Sequence, residues 1–171
     1  MKSLLFATAC VLSLAAPAMA QTATATFVNA EGKDVGTAKL TQTPNGVLIA
    51  FEVRGLTPGE HAFHIHEKGT CDPATKFASA GGHFALGKKH GFKTEGGPHP
   101  GDMPNQIAGP DGFLRAEVID PSVTLGGGAA TLFGPDGTAL VVHAKADDYQ
   151  SQPAGNAGDR VACAVIKAGA Q

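Results

Sequence analysis

Tryptophan is absent from this 171-residue chain and tyrosine occurs once. Charge is also scarce: Asp, Glu, Lys and Arg make up 16% of residues, and the formal net charge is −2 with histidine neutral. Such a balance offers no general attraction to phosphate or acidic membranes, which argues against nucleic acid or another polyanion as partner. With 43% hydrophobic residues, the chain is not a disordered polyampholyte either. It shows no internal repeat, no low-complexity tract and no long helical periodicity, and its single long apolar run lies at the N-terminus. What it has in excess is glycine, with 23 residues, and histidine, with seven, all between positions 61 and 143.

The first 20 residues read as a removable secretory signal peptide. Met1-Lys2-Ser3 gives a positive start, Leu4 to Ala16 an apolar stretch, and Pro17-Ala18-Met19-Ala20 a small-x-small cleavage site after Ala20. The apolar run is short for a membrane span, so no membrane attachment is expected once the signal is gone. Residues 21–171 are then one domain in size. Cys10 leaves with the signal, and Cys71 and Cys163 remain as an even pair in an exported chain, where a disulfide is the default and two separate buried thiols the alternative.

Short alternating or β-branched stretches punctuated by turn residues predict an all-β fold of eight antiparallel strands, a sandwich or barrel. The strands fall at Thr22 to Val28, Val35 to Thr43, Val47 to Val53, His61 to His66, Asn105 to Ala108, Phe113 to Ile119, Thr138 to His143 and Arg160 to Ile166, with Asn45-Gly46 as a tight hairpin turn. Two Gly-, Pro- and charge-rich segments, Glu67 to Pro104 and Ala144 to Asp159, have no periodicity. Loops of that length in a compact domain point to function.

In His64-Ile65-His66 the two imidazoles share one strand face, while Phe63 and Ile65 take the other. The apolar face is the core, so the histidines stand on the outside of the barrel beneath a covering loop. His61 shares the parity of Phe63 and reads as a hydrogen-bonded structural histidine. A lone His-x-His is weak, but His83, His90, His99, Asp102 and His143 lie in or beside the irregular segments. Three imidazoles and a carboxylate within a short stretch suit zinc. An all-imidazole set of His64, His66, His143 and one more suits Cu(II).

These residues resemble those of the copper/zinc superoxide dismutases of the bacterial, exported type. Gly59-Glu60-His61-Ala62-Phe63-His64-Ile65-His66 is similar to one signature of that family, and Gly155-Asn156-Ala157-Gly158-Asp159-Arg160-Val161-Ala162-Cys163 to the other. Gly81-Gly82-His83-Phe84, His99-Pro100-Gly101-Asp102 and Val141-Val142-His143-Ala144-Lys145-Ala146-Asp147-Asp148 lie between them in family order. The resemblance implies a Greek-key β-barrel with two long functional loops. It also implies one copper held by His64, His66, His83 and His143, and one zinc held by His83, His90, His99 and Asp102, with His83 bridging. Further implications are a Cys71–Cys163 disulfide, an Arg160 that receives the anionic substrate, and an Asp147 that links a histidine of each metal set. Ala62 replaces the usual glycine and needs a backbone conformation open to alanine. Ala85-Leu86-Gly87 lacks the family's Asn-Pro or Asp-Pro, and the segment to His90 is short.

The activity so implied is dismutation of superoxide to dioxygen and hydrogen peroxide in the periplasm, protecting the cell envelope. His83 would relay a proton and Arg160 bind the anion. Lys68, Lys88, Lys89 and Lys145 read as solvated lysines before steering residues. A non-catalytic periplasmic copper/zinc-binding or copper-delivery protein on the same fold is the alternative, and a zinc hydrolase lacks a general base beside an open zinc position. The family includes monomers and homodimers, so the sequence leaves a homodimer open.

Overall fold

Strict alternation builds the core. In β1 (Thr22–Asn29) Ala23, Ala25 and Phe27 are buried while Thr24 and Thr26 are exposed, and β3 (Gly46–Val53) buries Val47, Ile49, Phe51 and Val53. A computed structural model describes residues 21–169. The expected signal peptide therefore lies outside the described residues. Among these residues no helix is long and apolar enough to cross a membrane.

Eight strands form one antiparallel sheet and two form a separate ribbon. With β2 (Asp34–Thr43), β5 (Phe63–His66), β7 (Leu114–Asp120), β8 (Ala139–His143) and β9 (Arg160–Val165), the sheet runs β5-β8-β9-β1-β2-β3-β7. β10 (Lys167–Ala168) adds to β1, and β4 (Gly59–His61) pairs with β6 (Gln106–Ala108). The fold class is the expected all-β, antiparallel one, but with ten strands instead of eight.

One extra strand is β10. The other arises because the expected His61–His66 strand divides at Ala62, whose N–H donates to Lys145 O and whose carbonyl accepts from His143 N. His61 thereby joins the ribbon and His64 the sheet. Ala62 is fully buried and is not among the residues with positive φ, so alanine fits there without backbone strain. The hairpin turn also differs: Pro44-Asn45 makes it, and Gly46, at φ 122°, already pairs with Thr43. A Cβ at Gly46 would strike the Asp120 carbonyl of the neighbouring strand.

β8 is buried at every position, because Leu140 and Val142 face the main core while Ala139 and Val141 face a second cluster with Phe77, Ala80 and Cys163. That second cluster is the first long loop folded back on the sheet. Its anchor is the Cys71–Cys163 disulfide, which spans 92 residues of chain with a Cα–Cα distance of 5.6 Å. Chain-entropy reasoning gives about 4.5 kcal/mol for so long a loop. The double substitution Cys71→Ser, Cys163→Ser is expected to lower unfolding free energy by several kcal/mol, read by denaturant titration. A loss below about 1 kcal/mol would contradict this role for the bridge.

Candidate metal centre

His64 and His66 pair with Val141 and Ala139 of β8, so both imidazoles project on the face opposite Phe63 and Ile65 and are covered by the loops. The first loop returns along the free edge of β5. Ile65 N donates to Gly101 O, Phe84 N to Ile65 O, and Glu67 N to Gly82 O. These backbone bonds bring His83 and Asp102 level with His66 and His64. His143 arrives from the end of β8, opposite Arg160 of β9.

The six histidines and Asp102 fall into two buried groups that share His83: His64, His66, His83, His143, and His83, His90, His99, Asp102. Within each group one donor atom per residue lies within 4.8 Å of all the others. No expected ligand lies elsewhere.

Hydrogen bonds at the far side of each ring decide which nitrogen is free. His64 Nε2 meets Asp147 Oδ2 at 2.8 Å, His66 Nδ1 meets Gly81 O at 3.1 Å, and His143 Nδ1 faces Gly158 O at 3.3 Å. A neutral imidazole that donates through one nitrogen keeps a lone pair on the other. His64 Nδ1 and His83 Nε2 are buried with no hydrogen-bond partner, and His66 Nε2 faces His143 Nε2 at 3.4 Å. Unpaired buried polar atoms are costly, and four converging lone pairs cannot satisfy one another. This donor set fits a nitrogen-loving cation such as copper.

In the other group three imidazole nitrogens surround one carboxylate oxygen. His83, His90 and His99 place Nδ1 at 2.9, 3.0 and 3.2 Å from Asp102 Oδ1, and the Nδ1 atoms of His99 and His83 are 3.4 Å apart. Four ligands at zinc–donor distances of about 2.0–2.1 Å around a tetrahedral centre have edges of roughly 3.3 Å. The donor spacing therefore fits zinc. Asp102 Oδ2 is held by Gly91 N–H and His99 N–H, which aims Oδ1 at the rings.

Asp147 joins the two groups, because its Oδ1 meets His90 Nε2 at 3.0 Å while Oδ2 meets His64. Burial raises the pKa of Asp102 and Asp147, but the histidine bonds outweigh it and hold both carboxylates well below their usual range. Burial likewise opposes charge on His90, yet its bonds to Asp102 and Asp147 outweigh this and raise it to about 9. In His64 and His143 burial dominates and lowers the pKa to about 4 and about 3, with His66 well below its ordinary value.

A base depressed in the folded state contributes stability while it is neutral. That contribution is complete above about pH 6.5 and disappears as pH falls to about 4 through His64, then lower through His143. The metal-free protein is therefore expected to lose stability steeply between pH 6.5 and 4 in denaturant titrations, with bound copper moving the loss to lower pH. Equal unfolding free energies at pH 6.5 and 4 would contradict the assignment.

His61 sits behind this centre, 1% exposed, with Nδ1 at 2.6 Å from His143 O and Nε2 at 2.7 Å from Thr57 O. Arg160 donates through Nη1 to Phe77 O and through Nη2 to Gly81 O, the carbonyl also facing His66 Nδ1. The guanidinium is thus fixed beside the imidazole cluster with donors to spare.

Two further residues, Asn105 and Gly155, support Asp147. Asn105 pairs its side-chain amide with the backbone of Asp147: Asp147 N donates to Oδ1, and Nδ2 donates to Asp147 O. Gly155, at φ 66°, leaves room for Asp147 and His90, since a Cβ there would overlap both side chains. The glycine stands in a signature resemblance; the role of Asn105 has no local signal.

A family profile described as copper/zinc superoxide dismutase (SODC) matches residues 35–166. The chain is 52% identical over 146 residues to "Superoxide dismutase [Cu-Zn] 2" of Aquifex aeolicus (strain VF5), covering 84% of this chain and 85% of that protein. It is 47% identical over 148 residues to "Superoxide dismutase [Cu-Zn]" of Caulobacter vibrioides, covering 85% of each. The crystal structure of a SOD-like protein from Bacillus subtilis matches with a TM-score of 0.80 at 38% identity, over 84% of this chain and 97% of that one.

Proposed function

The chain belongs to the copper/zinc superoxide dismutase family and is a superoxide dismutase, and from that premise we propose that its catalytic centre is a copper and zinc pair bridged by His83. The observation that carries this reading is the pair of orphaned lone pairs, on His64 Nδ1 and His83 Nε2, beside a four-donor group of tetrahedral spacing that uses His83 Nδ1. Copper would be held by His64, His66, His83 and His143, and zinc by His83, His90, His99 and Asp102.

Two superoxide anions and two protons yield one dioxygen and one hydrogen peroxide. Copper held there would supply one-electron redox chemistry between two superoxide anions, while zinc, which has none, would serve structure and charge. Arg160 draws in and orients the anion: its fork of donors suits a small oxyanion, and its backbone-tied position requires little rearrangement. His83 Nε2 is the atom placed to hold and hand on a proton. Asp147, at the far nitrogens of His64 and His90, keeps those rings in the required orientation and raises their basicity. His61 fixes the His143 backbone from behind.

The whole chain is net negative, so attraction of a superoxide anion rests on local charge such as Arg160. The site of action we propose is the periplasm, after removal of residues 1–20, where the Cys71–Cys163 disulfide is stable. Metal content measured together with superoxide consumption tests the function. One copper and one zinc per chain with rapid dismutation is expected; both metals with no dismutation would favour a storage or delivery protein.

A further inference from the structure

His90 lies in chain that belongs to no strand or helix. It lies in a run of turns and bends between His83 and His99, followed by Gly91 at φ 97°. Within its own loop, Lys88 N bonds Ala85 O and Lys89 N bonds Gly96 O, but no backbone group in that loop takes the N–H or the carbonyl of His90. Both go to a single side chain from the other loop. His90 N donates to Gln152 Oε1 at 2.9 Å, and Gln152 Nε2 donates to His90 O at 2.8 Å.

Two antiparallel bonds from a planar amide reproduce a rung of a β-ladder. They fix the height of the His90 backbone and also its rotation about the chain, which one bond would leave free. Gln152 Nε2 also donates to Gln150 O at 3.0 Å, which ties the amide to its own loop. That loop carries Asp147, which holds His90 Nε2. One loop therefore grips His90 at the backbone and at the ring tip, leaving Nδ1 to point at Asp102 Oδ1.

We propose that Gln152 is a positioning residue for zinc: its amide replaces the regular backbone that the short segment before His90 lacks, and so sets how long the metal is retained. This rests on the reading of His83, His90, His99 and Asp102 as the zinc ligands. Ligand-orienting partners outside the donor set are commonly worth 10- to 100-fold in metal affinity. A backbone clamp acts in the same way, by holding the ligand in its binding geometry before the metal arrives.

The test uses the copper- and zinc-loaded protein and the transfer of zinc to the chelator 4-(2-pyridylazo)resorcinol at neutral pH. Gln152→Ala is expected to release zinc on the order of tenfold faster than wild type, with copper content and the visible copper band unchanged. Gln152→Glu keeps the acceptor for His90 N–H and loses the donor to its carbonyl, so faster release is expected there too. It decides the matter if the alanine variant does not fold.

The control is Gln42→Ala. Gln42 Oε1 accepts from Thr124 Oγ1 and Leu125 N, so its amide also ties down a distant loop, one that carries none of the metal-facing residues. This substitution should lower thermal stability yet leave zinc release within twofold of wild type. Zinc release from the Gln152 variants within twofold of wild type, or equal acceleration by Gln42→Ala, overturns the proposal. Wild-type protein that retains no zinc overturns instead the zinc reading on which it stands.

Discussion

Asp102→Asn is expected to lower zinc affinity by at least about 100-fold while leaving copper bound, measured as metal retained per chain against a competing chelator. Three effects combine at this position. The carboxylate is the one anionic member of its group, and its charge survives burial because His83, His90 and the Gly91 N–H stabilise it. Its Oδ1 is the point on which three ring nitrogens converge. Its Oδ2 ties the backbone at Gly91 and His99. Asparagine can still accept those two backbone bonds through its oxygen, but it then turns an amide NH2 toward the rings, or else surrenders the backbone ties. Undiminished zinc retention would mean that the four residues are a hydrogen-bonded cluster and not a ligand set.

Arg160→Ala is expected to lower kcat/KM by about tenfold or more with copper and zinc at wild-type stoichiometry, and to flatten the fall of rate with ionic strength. Burial lowers the pKa of the guanidinium from its ordinary value, but arginine starts so high that it remains charged. Two of its five donors are spent on Phe77 O and Gly81 O, which leaves the fork rigid and the rest of the group open to an anion. Arg160→Lys, which restores charge without the fork, should recover part of the loss. Unchanged kcat/KM in the alanine variant would assign Arg160 to loop anchoring alone. Because Phe77 and Ala80 pack with Cys163, loss of the disulfide should weaken the same anchorage.

Much of this centre is legible in the sequence, and particular residues show why. The His64-Ile65-His66 parity follows from the strand period, and the structure buries both imidazoles opposite Phe63 and Ile65. The pairing of Cys71 with Cys163 follows from count and compartment. His83, His90, His99 and Asp102 are different: irregular chain has no period, so their closeness in sequence only suggests a set, the resemblance assigns it, and the structure brings them together by bonding their loop to the edge of β5.

The division of the expected strand at Ala62 leaves only a faint mark in the sequence, the adjacent apolar pair Ala62-Phe63. Its cause is the bonding of Ala62 to Lys145 and His143, far along the chain. β10 is too short to carry a pattern. The backbone clamps of Asn105 and Gln152 reach partners 42 and 62 residues away, and an amide side chain in a polar loop carries no mark of such a partner.

The central claim, two different metals in adjacent sites that share one imidazole, is tested most directly by anomalous X-ray diffraction from crystals of the metal-loaded protein at the copper and zinc absorption edges. The predicted result is a copper peak among His64, His66, His83 and His143 and a zinc peak among His83, His90, His99 and Asp102, with His83 bordering both. A single occupied site, or one metal distributed over both, would contradict it.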